Sequence, residues 1–221
     1  MPISKTQIDR LGERLKVDAI READLRELDE YRRSFGPAHD HVVRLIRDEL
    51  RLEPTGRSAK STSSIIDKLR RESIRLTQMQ DIAGCRVVVG HLAAQDKVVQ
   101  SLVGLFPDSV VVDRRQRPSY GYRAVHIVVS ALERLVEVQV RTELQHLWAQ
   151  ASERLSDEVD PMIKYGGGPD LIARRLAEES QLLYALEFDR IEASLKPGLE
   201  QAMRVRFERL VRLVSNLGRE D

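Results

Sequence analysis

Apolar positions along this chain recur first at helical spacing, then at strand spacing, and then at helical spacing again. Between Thr6 and Tyr31 the apolar residues Ile8, Leu11, Leu15, Ala19, Leu25 and Leu28 stand among many charges, which predicts an amphipathic helix broken once. Phe35-Gly36-Pro37 predicts its end, His41 to Leu52 a second helix, and Pro54-Thr55-Gly56 the close of that helix. A further amphipathic helix follows the hydroxyl-rich segment Arg57 to Ser64. From Met79 the period changes to two. Residues 80–89 read as a turn feeding a buried strand, 94–106 as a helix, 110–113 as a strand, and Tyr122 to Val129 as a strand with Tyr122, Ala124 and His126 on one face.

The strictest alternation is Val136-Glu137-Val138-Gln139-Val140-Arg141-Thr142. Its valines share one face and Glu137, Gln139 and Arg141 the other, because successive strand side chains point to opposite sides of a sheet. A short turn separates it from the preceding strand, so the two are expected to form an antiparallel hairpin. Thr142 then caps a helix reaching about Val159, with Leu144, Leu147, Trp148, Ala151 and Leu155 as its stripe. Ile163 to Pro169 reads as a flexible Gly-rich loop, and Asp170 to Leu217 as helix interrupted at Lys196-Pro197-Gly198, with Leu171, Ile172, Leu176, Leu182, Leu183, Leu186, Met203, Phe207, Leu210 and Val214 apolar. The pattern predicts an α/β (α+β) fold: a mixed, partly antiparallel sheet of about four to five strands flanked by helices. The expected organisation is a helical arm over 1–56, a core over 57–165 and a second helical arm over 166–221, in one compact domain.

Composition narrows the function classes. The formal charge is +1, with 36 basic against 35 acidic residues, so the chain is not a globally basic nucleic-acid binder, although a local basic patch is compatible with that balance. Its one cysteine, Cys85, excludes an intramolecular disulfide, and no Cys/His group has zinc spacing. No run approaches a membrane span and no apolar leader is read at the start, so the expected location is the cytoplasm, with no membrane partner.

Candidate chemistry lies on the polar strand faces and the loops beside them. Glu137, Gln139 and Arg141 supply a metal-ready carboxylate, an amide and a guanidinium fork, a set suited to a polyphosphate, although a solvated strand face has the same pattern. Arg57 and Lys60 stand before a Ser/Thr-rich helix start that can hold phosphate, while simple capping explains the serines as well and is the favoured reading. There is no Gly-x-x-x-x-Gly-Lys-Ser/Thr loop. Arg114, Arg115 and Arg117 with Tyr120 and Tyr122 suit a loop that meets phosphate with aromatics at hand, the alternative being a solvated charge run.

Three motifs in order, Asp81-x-x-Gly84-x-Arg86, Gly121-Tyr122-x-x-x-His126 and Glu137-x-Gln139-x-Arg141-Thr142-x-x-x-His146, resemble the synthetase domain of the RelA/SpoT alarmone family. The resemblance covers roughly residues 57 to 165. It implies a pyrophosphokinase that moves the β,γ-diphosphate of ATP to a ribose 3′-hydroxyl. On that likeness Asp81 and Glu137 would hold Mg²⁺, Glu137 would take the hydroxyl proton, and Tyr122 would stack on the acceptor base. Arg57 and Lys60 would meet ATP, and Arg86, Gln139, Arg141, His126 and His146 would complete the phosphate and metal surroundings. Three features depart from the pattern: Arg57 and Lys60 are one residue further apart, Arg114, Arg115 or Arg117 must replace a lysine that falls near Pro118, and Ser152-Glu153 stands where small alarmone synthetases carry a Glu-His pair. The segments Leu144 to Ala149 and Ile163 to Gly168 are similar to the toxic small synthetases of toxin–antitoxin and phage-defence systems. That likeness favours the 3′-terminal adenosine of tRNA as acceptor, with Arg114, Arg115 and Arg117 as its footprint, and a neutralising antitoxin or a second copy of the chain as partner. The alternatives are alarmone synthesis on GDP or GTP, and a catalytically silent binding module.

Overall fold

The computed structural model describes residues 4–188 and 194–217. Helix α1 (Lys5–Leu15) opens on a capping box in which the Ser4 hydroxyl accepts the Gln7 N–H and the Gln7 side chain accepts the Ser4 N–H. Helix α2 is Glu22–Arg33, so the first helical stretch is indeed broken once. Helix α3 (Gly36–Leu50) starts earlier than the expected His41, because Pro37 falls in its first turn, where a missing N–H costs nothing. Strand β1 (Thr55–Arg57) occupies residues expected to be a closing turn. It pairs antiparallel with β2 (Ala83–Val89), setting Thr55 opposite Arg86 and Arg57 opposite Gly84.

Helix α4 (Thr62–Arg71) and helix α5 (Leu92–Leu105) flank β2 in sequence, and strands β3 (Val110–Asp113), β4 (Val125–Ala131) and β5 (Arg134–Thr142) follow. The five strands form one mixed sheet in the order β1-β2-β5-β4-β3. Leu132 and Glu133 join β4 to β5 with positive φ at both, 46° and 61°, the left-handed geometry of a two-residue hairpin turn. The strand expected from Tyr122 begins only at Val125: Tyr122 instead forms an isolated bridge with Ser119, and residues 123–129 are buried without alternation.

Helix α6 (Glu143–Glu158) has the predicted Thr142 cap, reinforced by Gln145 into a capping box. The Gly-rich stretch beyond it is not a loose loop. Residues Ile163–Tyr165 form a 3₁₀ turn that buries Ile163, and Gly166 follows in the left-handed conformation. Helices α7 (Asp170–Phe188) and α8 (Lys196–Leu217) complete the chain. Lys196-Pro197-Gly198 opens α8 rather than interrupting a helix, since proline is tolerated in a first turn. No helix among the described residues is long and apolar enough to cross a membrane.

The chain divides into two compact units. The first comprises residues 1–87, 101–111 and 127–139. Leu11, Leu15, Leu28, Val42, Ile46, Ile65, Leu69 and Ile82 are buried in it. Arg14 pairs with Asp24 and Glu27, tying α1 to α2. The second comprises residues 88–100, 112–126 and 140–221. Its core joins Leu144, Trp148, Leu155 and Ile163 to Leu176, Leu183, Leu186, Met203 and Phe207, with Tyr122 packed against it. Leu171 and Leu182, expected on the buried stripe of α7, are exposed, and Leu210 and Val214 have side chains outside the described residues.

Candidate active site

In the first unit the backbone of Lys60 is held at both its N–H and its carbonyl. The Lys60 N–H donates to the Ile82 carbonyl at 2.6 Å, and the Lys60 carbonyl accepts Arg32 Nε at 2.6 Å. Arg32 also donates to Thr62 Oγ1, so one guanidinium from α2 clamps both sides of the Ser61 cap. From this anchor Lys60 Nζ reaches Asp81 Oδ2 at 2.7 Å, and Lys68 Nζ from α4 reaches Asp81 Oδ1 at 2.9 Å. Arg57, on β1, is exposed and close enough to act electrostatically on Lys60. Ser61 accepts the Ser64 N–H and donates to Ser64 Oγ, so capping is what these hydroxyls do.

Burial works against both charges in this triad, with different outcomes. At Lys60 desolvation outweighs Asp81 and lowers the ammonium pKa. At Asp81 desolvation raises the pKa, but Lys60 and Lys68 together outweigh it and bring the carboxyl down to about 2. The two directions are consistent because the carboxylate gains two cations while the lysines share one anion. Asp81 is therefore ionised across the ordinary pH range.

Glu137 lies on β5, half-buried, with one carboxylate oxygen accepting Gln139 Nε2 at 2.7 Å. Gly84 of β2 allows a close backbone approach: a Cβ there would stand 2.9 Å from the Glu137 carbonyl oxygen. The neighbouring Cys85 thiol is pushed up to about 12, first by burial and then by the charge of Glu137. Cys85 is accordingly expected to resist iodoacetamide in the folded protein and to react fully in denaturant, as intact-mass measurement would show. Arg86, next on β2, is half-buried.

No group of three or more His, Cys, Asp or Glu among the described residues could hold a metal ion unaided. That is compatible with Mg²⁺ at a nucleotide site, which uses one or two carboxylates and takes the remaining oxygens from substrate phosphate and water.

In the second unit Tyr122 is the centre. Its phenol oxygen accepts Arg141 Nε at 3.2 Å and the terminal guanidinium nitrogen Nη2 at 3.0 Å, and it stands 3.0 Å from His126 Nε2. The Arg141 guanidinium also lies 4.9 Å from the Tyr122 ring centroid. Arg141 and His126 are buried, so they orient the tyrosine rather than face solvent. The structure thus brings together three residues that the sequence placed on polar strand faces. His146 is half-buried in the first turn of α6.

Helix α7 supports this tyrosine, a role with no local sequence signal. Ser180 Oγ donates to the Gly121 carbonyl at 2.6 Å, while Arg123 Nε donates to Ser180 Oγ at 3.0 Å and its guanidinium lies 4.8 Å from the Tyr184 ring centroid. Glu187 accepts hydrogen bonds from Thr142 Oγ1 and Gln145 Nε2 at the start of α6. Burial raises the Glu187 pKa. The arginine run is less available than expected: Arg115 is bound to Asp113 and Asp96, Arg114 is half-buried, and Arg117 is exposed. Lys68 was also missed as a site residue, although its i, i+4 spacing from Ser64 placed it on the same face of α4.

Residues 56–156 match the model of a region found in RelA / SpoT proteins. An uncharacterized protein of Mycobacterium tuberculosis is 36% identical over 119 residues, spanning 52% of this chain and 44% of its own length. The chain thus spans less than half of that relative. The GTP pyrophosphokinase YjbM of Bacillus subtilis is 32% identical over 149 residues, which is 60% of this chain and 67% of YjbM. Among solved structures, a GTP pyrophosphokinase family protein from Streptococcus pneumoniae superposes with a TM-score of 0.58 at 26% identity, covering 81% of this chain and 97% of that one.

Proposed function

The chain belongs to the RelA/SpoT family, and from that premise we propose that it is an ATP-dependent diphosphotransferase that moves the β,γ-diphosphate of ATP to a ribose 3′-hydroxyl. The observation that carries this reading is the ionised Asp81 set between Lys60 and Lys68. Diphosphoryl transfer asks chiefly for positioning and for cations on the developing phosphate charge. The acceptor 3′-oxygen attacks the β-phosphorus, the bond from that phosphorus to the oxygen bridging it to the α-phosphate breaks, and AMP leaves. Glu137 takes the proton from the attacking hydroxyl. Asp81 and Glu137 are the carboxylates that would hold Mg²⁺, whose chemistry there is neutralisation of the phosphate oxygens. Arg57, Lys60 and Arg86 serve the phosphates of ATP, and Tyr122 stacks on the acceptor base.

The reading favours GDP or GTP as acceptor, since YjbM is named a GTP pyrophosphokinase. Transfer to the 3′ end of tRNA draws on a cationic footprint, and with Arg115 engaged by two aspartates the arginine run contributes chiefly Arg114 and Arg117. Incubation with Mg²⁺ and γ-labelled ATP, offering GDP, GTP, ATP and deacylated tRNA separately, tests both. Label is expected on a guanine nucleotide. Label on tRNA alone would make the chain a translation-inhibiting toxin, and the absence of label on every acceptor would leave a binding module in place of an enzyme.

A further inference from the structure

The Asp81 triad carries a consequence for how the site loads. Both carboxylate oxygens are engaged, one by each lysine, at 2.7 and 2.9 Å. All three side chains are largely shielded, with 23% exposure at Asp81, 14% at Lys60 and 21% at Lys68. The group has a net positive charge, and each carboxylate oxygen carries an ammonium contact. A bare divalent cation approaching it meets two ammoniums at short range in a partly desolvated setting, where repulsion is weakly screened. A triphosphate meets the opposite field.

We propose that Lys60 and Lys68 gate Asp81: without nucleotide they occupy the carboxylate, and they release it to a metal ion only when the triphosphate of ATP draws the two ammoniums away. The inference rests on the diphosphotransferase reading and extends it to the order of binding, nucleotide before or together with metal. The backbone fits such a gate. Lys60 is pinned at its N–H by Ile82 and at its carbonyl by Arg32, and Lys68 sits within α4, so opening requires only rotation of two flexible four-carbon stems. Loss of one partner frees one carboxylate oxygen, Oδ1 in the case of Lys68, while the second ammonium still holds the other. The gate keeps the metal from settling in an empty site, where it would hold Asp81 away from the arriving phosphates.

The test uses the full chain without acceptor. Titration of nucleotide-free protein with Mn²⁺, followed by the electron paramagnetic resonance signal of free Mn²⁺, should show only weak binding. Lys68→Met should tighten it by at least about tenfold, since one short-range repulsion is removed, and Lys68→Met combined with Asp81→Asn should remove the gain. Lys68→Gln provides a second variant if circular dichroism shows that Lys68→Met is misfolded. In the unsubstituted protein, calorimetry in EDTA should show the α,β-methylene analogue of ATP binding without metal. Equal Mn²⁺ affinity in the unsubstituted and Lys68→Met proteins would overturn the gate, as would an analogue that binds only after metal. Label transfer tests the diphosphotransferase reading separately, so either idea can fail while the other stands.

Discussion

Glu137→Gln is expected to lower the rate of diphosphate transfer by roughly 10³-fold or more, the scale of losing a general base together with a metal carboxylate. The substitution keeps the shape of the side chain and removes its charge. Glu137 is half-buried on β5, and the adjoining Val136 and Val138 carry the packing of the strand. The melting midpoint should therefore stay within a degree or two of the unsubstituted protein, because the hydrogen bond from Gln139 Nε2 can be remade to an amide oxygen. Binding of the ATP analogue in EDTA should be almost unchanged, since Lys60 and Lys68 remain in place. A rate near the unsubstituted value would remove Glu137 from the chemistry. Lost transfer with lost folding would leave the role untested in that variant, and Glu137→Asp, which keeps the charge on a shorter arm, then decides by whether part of the rate returns.

Much of β5 and α6 was legible because the signals are local. The alternation over residues 136–142 marks β5, and Thr142 marks the start of α6. What was misread depended on partners distant in sequence. The three residues of β1 are too few to show a period, and become a strand only by pairing with β2. Arg123 carried no reading in the sequence, and its guanidinium is buried against Ser180 and Tyr184, more than fifty residues away. Lys68 belongs to none of the motifs, and only the fold sets it on Asp81. The glycines after Tyr165 suggested looseness, yet Ile163 anchors that turn in the core. The sequence motifs thus singled out Asp81, Glu137 and Tyr122 together with Lys60, Arg141 and His126, while the contacts of Lys68 with Asp81 and of Ser180 with Gly121 are evident only in the tertiary structure.

Gly121→Val should be the most damaging single change in the second unit. Gly121 has φ +88°, a conformation that costs a non-glycine residue about 1–2 kcal/mol and a β-branched one more. A Cβ there would also stand 2.7 Å from Trp148 Cζ2 and 3.3 Å from Ser180 Cβ. Trp148 cannot retreat easily, being buried with its indole N–H donated to the Leu176 carbonyl at 2.9 Å. Overpacking of this kind costs a further 1–3 kcal/mol or so. The sum, about 3 kcal/mol, predicts a melting midpoint lower by roughly 6–12 °C for a chain of this size. The functional effect should be selective. Displacing Gly121 moves Tyr122, which Arg141 and His126 hold by its phenol, so the KM for the acceptor should rise while binding of the ATP analogue changes little. Ser180→Ala, which removes the hydrogen bond to the Gly121 carbonyl without adding bulk, should move the acceptor KM in the same direction by a smaller factor and lower the midpoint only slightly. Equal weakening of ATP analogue and acceptor in both variants would show that α7 stabilises the unit generally, and would separate Tyr122 from acceptor recognition.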